Sequence, residues 1–417
     1  MDENVRELLR RPIELRNIEF KESQPWAELK LKIVKACLAL SNIQDGGFLI
    51  VGVAETKGRF ESIGLTPEHE ATYEPDKVTE YVNRFADPNI PLRVQFVEFS
   101  GKRFLAIQVP EFLDVPVICK RSYDKELRHG AIYVRSTRKP ESAEISSQVD
   151  MRHLINLAVN KGLKKFVATA RAAGLSLDVR DESERVDSFG SQLPQLAQLD
   201  PELTRQPHWL TVIHPAHRES LSLDECWDRV ARSQVSLRVQ PFPFVQEETR
   251  RQGRDWVGCD DRSDSSTDSW RACPSGLFVH AGTLRDAMTG SSDAPPSQAR
   301  TLSVVGAIFA VTERFEFASR LALDAGWADS VRVSMSLVGI NEMRLEFSDR
   351  YRGLDNGQRC RVETISRTWS IPAEALHSSV DRLARRACED IFAHFDEFSP
   401  PGRLLADVQE ELRSLRG

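Results

Sequence analysis

The chain has 417 residues and a net charge of −6, with 41% apolar and 28% charged residues. This length is more than one domain usually holds, so we expect two or three domains, each with its own core. The composition is that of a soluble globular protein, and no apolar run approaches the roughly 20 residues needed to span a bilayer. Membrane-spanning proteins are therefore excluded as a class.

The seven cysteines are scattered, odd in number and never spaced as Cys-X-X-Cys. This pattern argues against a structural zinc site and favours the reduced thiols of cytoplasmic proteins. The first residues, Met1–Asn4, are acidic and lack the basic-then-apolar order of a secretion signal. We therefore expect a cytoplasmic protein.

The first predicted elements lead into a glycine-rich strand. A short helix over residues 4–11 precedes a strand at Arg16–Lys21, in which Glu19 and Lys21 share one face. Residues 26–40 follow a helical apolar period, and a strand over 46–53 comes next, with glycines at both ends. The carboxylate of Glu19 and the ammonium of Lys21 thus stand beside a buried glycine strand.

The rest of the first domain alternates strands and helices. Pro75 opens a helix that runs to about Ala86, and two alternating stretches around Ser100–Lys102 predict a hairpin. A closing helix covers residues 146–170. Further strands are predicted near residues 60–65, 117–120 and 130–136. We therefore predict a mixed α/β (α+β) domain over residues 1–167.

The second half is predicted to be another α/β domain. A polar linker over 168–206 precedes this domain at 207–397, and a last helix lies within 398–417. Residues rich in Ser, Asp and Pro within 247–300 predict mobile loops. Strands are predicted near residues 235–245, 304–311, 331–347 and 359–370.

An amphipathic helix is predicted over residues 372–395, with its apolar residues at helical spacing. This helix either packs on its own domain or serves a homo-oligomer or a protein partner. We find no internal repeat.

Basic residues are concentrated late in the first domain, and they predict contacts with backbone phosphates. Such contacts would give salt-sensitive binding with little reading of sequence. The alternative is an ordinary solvated surface. Tyr123 and Tyr133 either stack on unpaired bases or belong to the core. The predicted nucleic-acid-binding residues are Lys120, Arg121, Arg128, Arg135, Arg138 and Lys139.

Two other kinds of site are excluded by their local sequence. The glycines of the 46–53 strand are followed by a strand rather than a helix, and no Gly-Lys-Ser/Thr occurs, so a phosphate-binding loop is absent. His214 and His217 have the spacing of metal ligands, but Pro215 disfavours the helix that would bring them together. Neither pattern therefore predicts a functional site.

Several short motifs follow one another in the first domain. In chain order they are Glu14, Glu19-Phe20-Lys21, Ala39–Asn42, Gly46-Gly47 with Gly52-Val53, Ile63–Leu65, Val109-Pro110, Pro116 and Ile132–Ser136. In this order the motifs resemble the AlbA-like domain of the Schlafen family. The resemblance covers residues 14–155 and implies an α/β domain that binds nucleic acid. Some Schlafen members cut transfer RNA or ribosomal RNA with three acidic residues and a divalent cation.

The resemblance places Glu14 and Glu19 where two of the three acids stand. Mg²⁺ or Mn²⁺ would be the cation, because hard cations prefer carboxylate oxygens and assist phosphodiester hydrolysis. The family's nucleases have an aspartate after Gly-Val, where this chain has Ala54 and then Glu55. The alternation of a strand would point Glu55 to the opposite face unless the strand has ended. Lys21 would meet phosphate or pair with Glu14 or Glu19.

The resemblance thus implies a nucleic-acid-binding protein, with RNA favoured over DNA. As an enzyme it would be a metal-dependent endoribonuclease that acts on tRNA-like RNA in bacterial stress or phage defence. The first alternative is a DNA- or RNA-binding regulator that cuts nothing. A second is a scaffold whose C-terminal domain binds a partner.

Overall fold

A computed structural model describes residues 1–56, 59–124, 126–135, 141–172, 199, 203, 206–238, 240–262, 267–284, 301–355 and 357–414. The chain forms two compact units. The first unit comprises Met1–Leu175 with Ser236–Gln240 and Arg413–Gly417, and the second comprises Ser176–Val235 and Pro241–Leu412. Both mix helices and strands, which confirms the predicted α+β class. No helix within these described ranges is long and apolar enough to cross a membrane.

The first unit is built on a four-stranded sheet in the order β1-β2-β7-β6. Strand β1 runs parallel to β2, and the other pairs are antiparallel. The helices are α1 Asp2–Arg10, α2 Trp26–Ser41, α3 Pro67–Glu70, α4 Pro75–Asn83 and α5 Gln148–Ala172. The strands are β1 Ile18–Lys21, β2 Gly47–Val51, β3 Val53–Thr56, β4 Arg59–Ser62, β5 Ala86–Asp87, β6 Arg93–Phe99, β7 Lys102–Val109, β8 Ile118–Cys119, β9 Tyr133–Arg135 and β10 Ser142–Glu144.

The core of the first unit lies between α2 and the sheet. Every residue of β2 is buried, as expected of a continuous apolar run with neighbours on both sides. The apolar stripe of α2 packs on this sheet through Leu29, Ile33 and neighbouring residues. Strand β1 is the first strand in the sheet order and therefore an edge strand. It carries its polar side chains beside this core.

The second unit is built on a seven-stranded antiparallel sheet in the order β12-β13-β14-β15-β11-β17-β19. Its helices are α6 Leu223–Ser233, α7 Val304–Ala325, α8 Ala373–Phe392 and α9 Gly402–Ser414. Its strands are β11 His208–Pro215, β12 Arg250–Gln252, β13 Val257–Arg262, β14 Thr267–Ala272, β15 Phe278–Thr283, β16 Thr301–Ser303, β17 Ser330–Val338, β18 Arg344–Glu346 and β19 Thr364–Pro372.

Two predictions for the second half are wrong, and a third is tested only in part. Residues 304–311 belong to helix α7, whose first turn is capped by Ser303 and whose end is the left-handed Gly326. In the region 247–300, where mobile loops are predicted, strands β12 to β15 occupy much of the chain up to Thr283. Most of the two stretches that carry the loop prediction falls in residues 263–266 and 285–300, which lie outside the described residues. Among the described residues of 235–245, Val235 and Phe242 form a bridge and none belongs to a strand.

Helix α8 buries its apolar residues inside the second unit, where it packs along α7. The apolar stripe of α8 therefore packs within its own unit. A homo-oligomer or partner contact through this helix stays a prediction. Helix α5 extends to Ala172, so the first residues of the predicted linker are helical.

Candidate functional site

A cavity of about 620 Å³ in the first unit brings together the four side chains predicted to be catalytic, Glu14, Glu19, Lys21 and Glu55. The cavity lies beside β1 and is lined by parts of α2, β3, β4 and β10. Its other charged lining residues are Glu22, Lys32, Lys35, Glu126 and Glu141. The predicted acids are therefore neighbours in space.

Strand β1 and the connection before it place the first two acids. Glu19 and Lys21 pair with Leu49 and Val51 of β2, so both side chains leave the same face of the sheet. Glu14 lies in the connection from α1, which turns back through a bridge between Leu15 and Ile18. This turn brings Glu14 to the cavity despite its five-residue separation from Glu19.

Gly52 ends strand β2 and redirects the chain toward the cavity. Its φ of +114° is one that residues with a side chain rarely adopt, and its amide donates to the carbonyl of Lys21 at 2.8 Å. Strand β3 starts afresh at Val53 and pairs with β4, which sets Glu55 opposite Phe60. Glu55 is exposed and reaches the cavity because the strand has ended, so the alternation of β2 does not govern it.

Arg135 is fully buried behind these acids, although the sequence predicts that it binds nucleic acid. Its guanidinium forms an ion pair with Glu19 and lies 3.5 Å from Glu14. It also donates to three backbone carbonyls, those of Leu15 and Arg16 in the connection before β1 and that of Ile18 at the start of β1. The prediction for Arg135 is wrong, because its donors are used inside the domain and none is offered to phosphate.

Burial shifts the pKa values of three groups at this site. It raises the pKa of Glu14, an effect opposed by the positive charges of Arg135 and Lys21 and reinforced by the negative charge of Glu55. Burial likewise lowers the pKa of Lys21, against the attraction of Glu14. It lowers the pKa of Arg135 to about 10, which still leaves the guanidinium charged at neutral pH.

The carboxylate of Glu19 is committed to cations of the protein. One oxygen contacts the ammonium of Lys21 and the other contacts the guanidinium of Arg135. Within the described ranges, no group of three or more His, Cys, Asp or Glu side chains is arranged to hold a metal ion. The predicted ligand set therefore fits only in part: Glu14 and Glu55 border the cavity, whereas Glu19 would first have to exchange its partners.

Two cationic residues of the cavity, Lys32 and Lys35, are absent from the predicted site. Both lie on α2, off its apolar stripe, and Lys32 is exposed. The ammonium of Lys35 lies 5.7 Å from the ring centre of Tyr133. The sequence does contain a signal for them: two lysines three residues apart lie on the polar side of α2.

Three other predicted nucleic-acid-binding residues, Lys120, Arg121 and Arg128, are not part of the cavity lining. Lys120 contacts Asn89 at 3.4 Å, and Arg121 is exposed. Arg128 forms an ion pair with Glu144, which raises the pKa of Arg128 and lowers that of Glu144. Arg138 and Lys139 lie outside the described residues.

Comparison with known proteins identifies the first unit. Residues 14–144 match the family model described as Schlafen, AlbA_2, which confirms the predicted domain type and indicates nucleic-acid binding. No curated protein matches the chain.

Two solved structures are similar to parts of the chain. The DIP2311 protein of Corynebacterium diphtheriae is 18% identical over 49% of this chain and 36% of its own, with a TM-score of 0.26. The N-terminal domain of a putative ATP-dependent DNA helicase RecG-related protein from Nitrosomonas europaea is 22% identical over 31% of this chain and 86% of its own, with a TM-score of 0.23. The match thus covers 36% of the DIP2311 protein's length.

Proposed function

We propose that the Schlafen AlbA_2 domain of this chain binds nucleic acid, RNA in preference to DNA, at the cavity beside β1. The observation that carries this proposal is the grouping of Lys32 and Lys35 with the acids of β1 and β3 around one cavity. Lys21 and Arg135 are held by Glu19, so Lys32 and Lys35 are the cations offered to backbone phosphates.

A salt titration of RNA binding tests this assignment. In the Lys32→Ala/Lys35→Ala variant, the slope of log affinity against log salt should become shallower by about 1.4 to 1.8, because two phosphate contacts are lost. Lys77→Ala is the matched control, since Lys77 lies on α4 and is paired with Glu74 away from the cavity. An unchanged slope in the double variant, or no binding to any nucleic acid at low salt, would overturn the proposal.

A second candidate function is metal-dependent cleavage of tRNA-like RNA, favoured by the grouping of Glu14 and Glu55. Mg²⁺ in nucleic-acid enzymes is often held by one or two carboxylates together with substrate phosphates, so a preformed three-acid site is unnecessary. Glu14 and Glu55 would hold the cation, and the cation would activate water and offset charge on the phosphate. The excess of carboxylates in the cavity lining also requires a countercharge when a polyanion approaches.

Cleavage is tested with Glu55→Gln, because Glu55 is exposed and the variant should fold. Labelled tRNA, other RNA and single- and double-stranded DNA are incubated with Mn²⁺, Mg²⁺ or EDTA. Cleavage that requires the metal, is lost in Glu55→Gln and persists in Glu61→Gln supports an endoribonuclease; Glu61 is exposed on the paired strand β4, opposite Ala54. Binding without cleavage in every condition leaves a non-catalytic regulator.

The broader setting of this activity follows from the family resemblance alone. A role in bacterial stress or phage defence, a cytoplasmic location and a partner-binding C-terminal unit remain predictions. Binding to a membrane is not part of the proposal.

A further inference from the structure

Four aromatic rings of the first unit form a continuous chain, which we call the aromatic strip: Trp26, Tyr81, Phe85 and Tyr123. Ring centres are 5.5 Å apart from Trp26 to Tyr81, 5.5 Å from Tyr81 to Phe85 and 6.3 Å from Phe85 to Tyr123. The strip starts at α2, crosses α4 and ends between β8 and β9. It therefore links segments that lie far apart in the sequence.

The strip is only partly a core feature. Phe85 is buried, whereas Trp26 and Tyr81 are half-buried and Tyr123 is 40% exposed. Buried tyrosines of this unit use their hydroxyl groups internally: that of Tyr73 donates to the carbonyl of Gln24 at 2.6 Å. The packing thus accounts for Phe85 but leaves the ring of Tyr123 open to a ligand.

Cations follow the same strip. The ammonium of Lys30 and the guanidinium of Arg84 each lie 5.9 Å from the ring centre of Tyr81. Lys120 and Arg121 directly precede the exposed end of the strip at Tyr123. Lys30 and Arg121 make no ion pair within the described ranges, so their charges are available to an anionic ligand.

We infer that the exposed end of the aromatic strip, the ring of Tyr123, binds an unpaired base by stacking, with Lys30 and Arg121 on the backbone phosphates. Rings that alternate with cations suit single-stranded nucleic acid, because every base offers a π-face and the sequence is not read. Bases of a duplex are already stacked on each other and cannot use these rings. The inference deepens the proposed function, on which it rests, and makes single-stranded segments the substrate class.

Tyr133, the other tyrosine considered from the sequence, does not belong to this surface. It is 4% exposed, and its hydroxyl accepts from the amide of Arg128 at 2.9 Å. Its role is to pack and orient the segment before β9. Tyr123 is therefore the residue that tests stacking.

The experiment measures fluorescence anisotropy with a labelled oligouridylate and with a labelled RNA duplex. Tyr123→Leu should weaken binding of the single strand about tenfold and leave the duplex unchanged, because one stacked base is lost. Tyr123→Phe keeps an aromatic face and should bind like the wild type. Leu113→Ala, which alters another exposed apolar residue of this unit, is the matched control and should change neither probe. Thermal melting confirms that each variant is folded.

Other results separate this inference from the function on which it rests. Equal binding of single strand by Tyr123→Leu and the wild type overturns the stacking role, and the proposed function stands if Lys32→Ala/Lys35→Ala still weakens binding. An equal loss on both probes in Tyr123→Leu also overturns stacking, since a duplex offers no free base. If the wild type binds neither these probes nor any other nucleic acid at low salt, both the inference and the proposed function fall.

Discussion

Both units bury charged side chains in pairs, but the surroundings of these pairs differ. In the first unit, Arg135 and Glu19 lie behind a cavity lined by further ionisable groups. In the second unit, Arg320 pairs with Glu316 at 3.0 Å along α7. A buried ion pair therefore does not by itself indicate a functional site. The indication comes from the ionisable groups that surround the pair.

The largest effect on stability is expected when the ion pair between Arg135 and Glu19 in the first unit is broken. Arg135→Met should lower the free energy of unfolding of that unit by about 3–5 kcal/mol, because Glu19 would stay buried without its guanidinium partner. Hydrogen exchange of β1 and β2 amides in a urea series measures this loss. Unchanged protection in the variant would show that the pair does not hold the unit together.

The matched change in the second unit is Arg320→Met, which leaves Glu316 buried on α7. It should destabilise its own unit by a similar amount, about 3–5 kcal/mol, while RNA affinity per folded molecule stays unchanged. A loss of RNA affinity in Arg320→Met at low temperature, where the variant is folded, would remove the distinction between the two pairs.

The next effect concerns the turn that delivers Glu55. Gly52→Ala should cost about 1–3 kcal/mol of unfolding free energy, because φ is +114° and a Cβ would lie 2.9 Å from a ring carbon of Phe104. Gly130→Ala is the control: its φ is +77° with no atom within 4 Å, so only the backbone cost of about 1 kcal/mol applies. Equal losses would contradict the close approach at Gly52.

A pH series isolates the charge of Glu14. Its folded pKa is raised above 4.5, so the native state holds its proton at pH values where the unfolded chain has released it. Glu14 therefore makes stability fall as pH rises through that window, and Glu14→Gln should grow more stable relative to the wild type with rising pH. Denaturation at several pH values measures the difference.

Glu68→Gln should give the opposite slope, because hydrogen bonds from its own amide and from Thr66 lower the pKa of Glu68. That group contributes stability above its unfolded pKa, and the contribution is lost as pH falls. Parallel pH profiles for the two variants would rule out burial as the controlling influence at Glu14.

The smallest effect is expected at the surface. Lys165 and Asp114 form an exposed pair at 3.2 Å, and Lys165→Ala should change the unfolding free energy by about 0.5 kcal/mol or less. Lys161 on the same helix pairs with the half-buried Glu111 at 3.0 Å, and its replacement by Ala should cost more. A larger loss from Lys165 than from Lys161 would reverse the ranking of half-buried and exposed pairs.

Local patterns predicted the elements around the site well. The apolar run ending at Val51 and the helical period of α2 depend on neighbours in sequence, and both elements formed within a few residues of their predicted bounds. The same logic failed at 304–311, where an apolar run looked like a strand although Ser303 and Gly326 supplied the caps of a long helix. Runs of mixed apolar residues do not distinguish a buried helix from a strand.

The features of the site that were not predicted from the sequence depend on contacts between residues far apart in the chain. Arg135 looked like a phosphate-binding residue because nothing near it in sequence shows that two glutamates lie against it. Glu55 looked misdirected because the alternation rule assumes an unbroken strand, whereas Gly52 ends it. In both cases the missing information was a contact between distant segments: Arg135 contacts Glu14 and Glu19, and Gly52 donates to Lys21.

The contact between Arg135 and Arg16 spans 119 residues and has a consequence for biosynthesis. A ribosome releases the chain from its N-terminus, so β1 emerges long before the guanidinium that neutralises Glu19. Until residue 135 has left the exit tunnel, the connection before β1 lacks its donor and the nascent domain cannot close. Completion of the domain, rather than synthesis of its first strands, therefore sets the moment at which the candidate site forms.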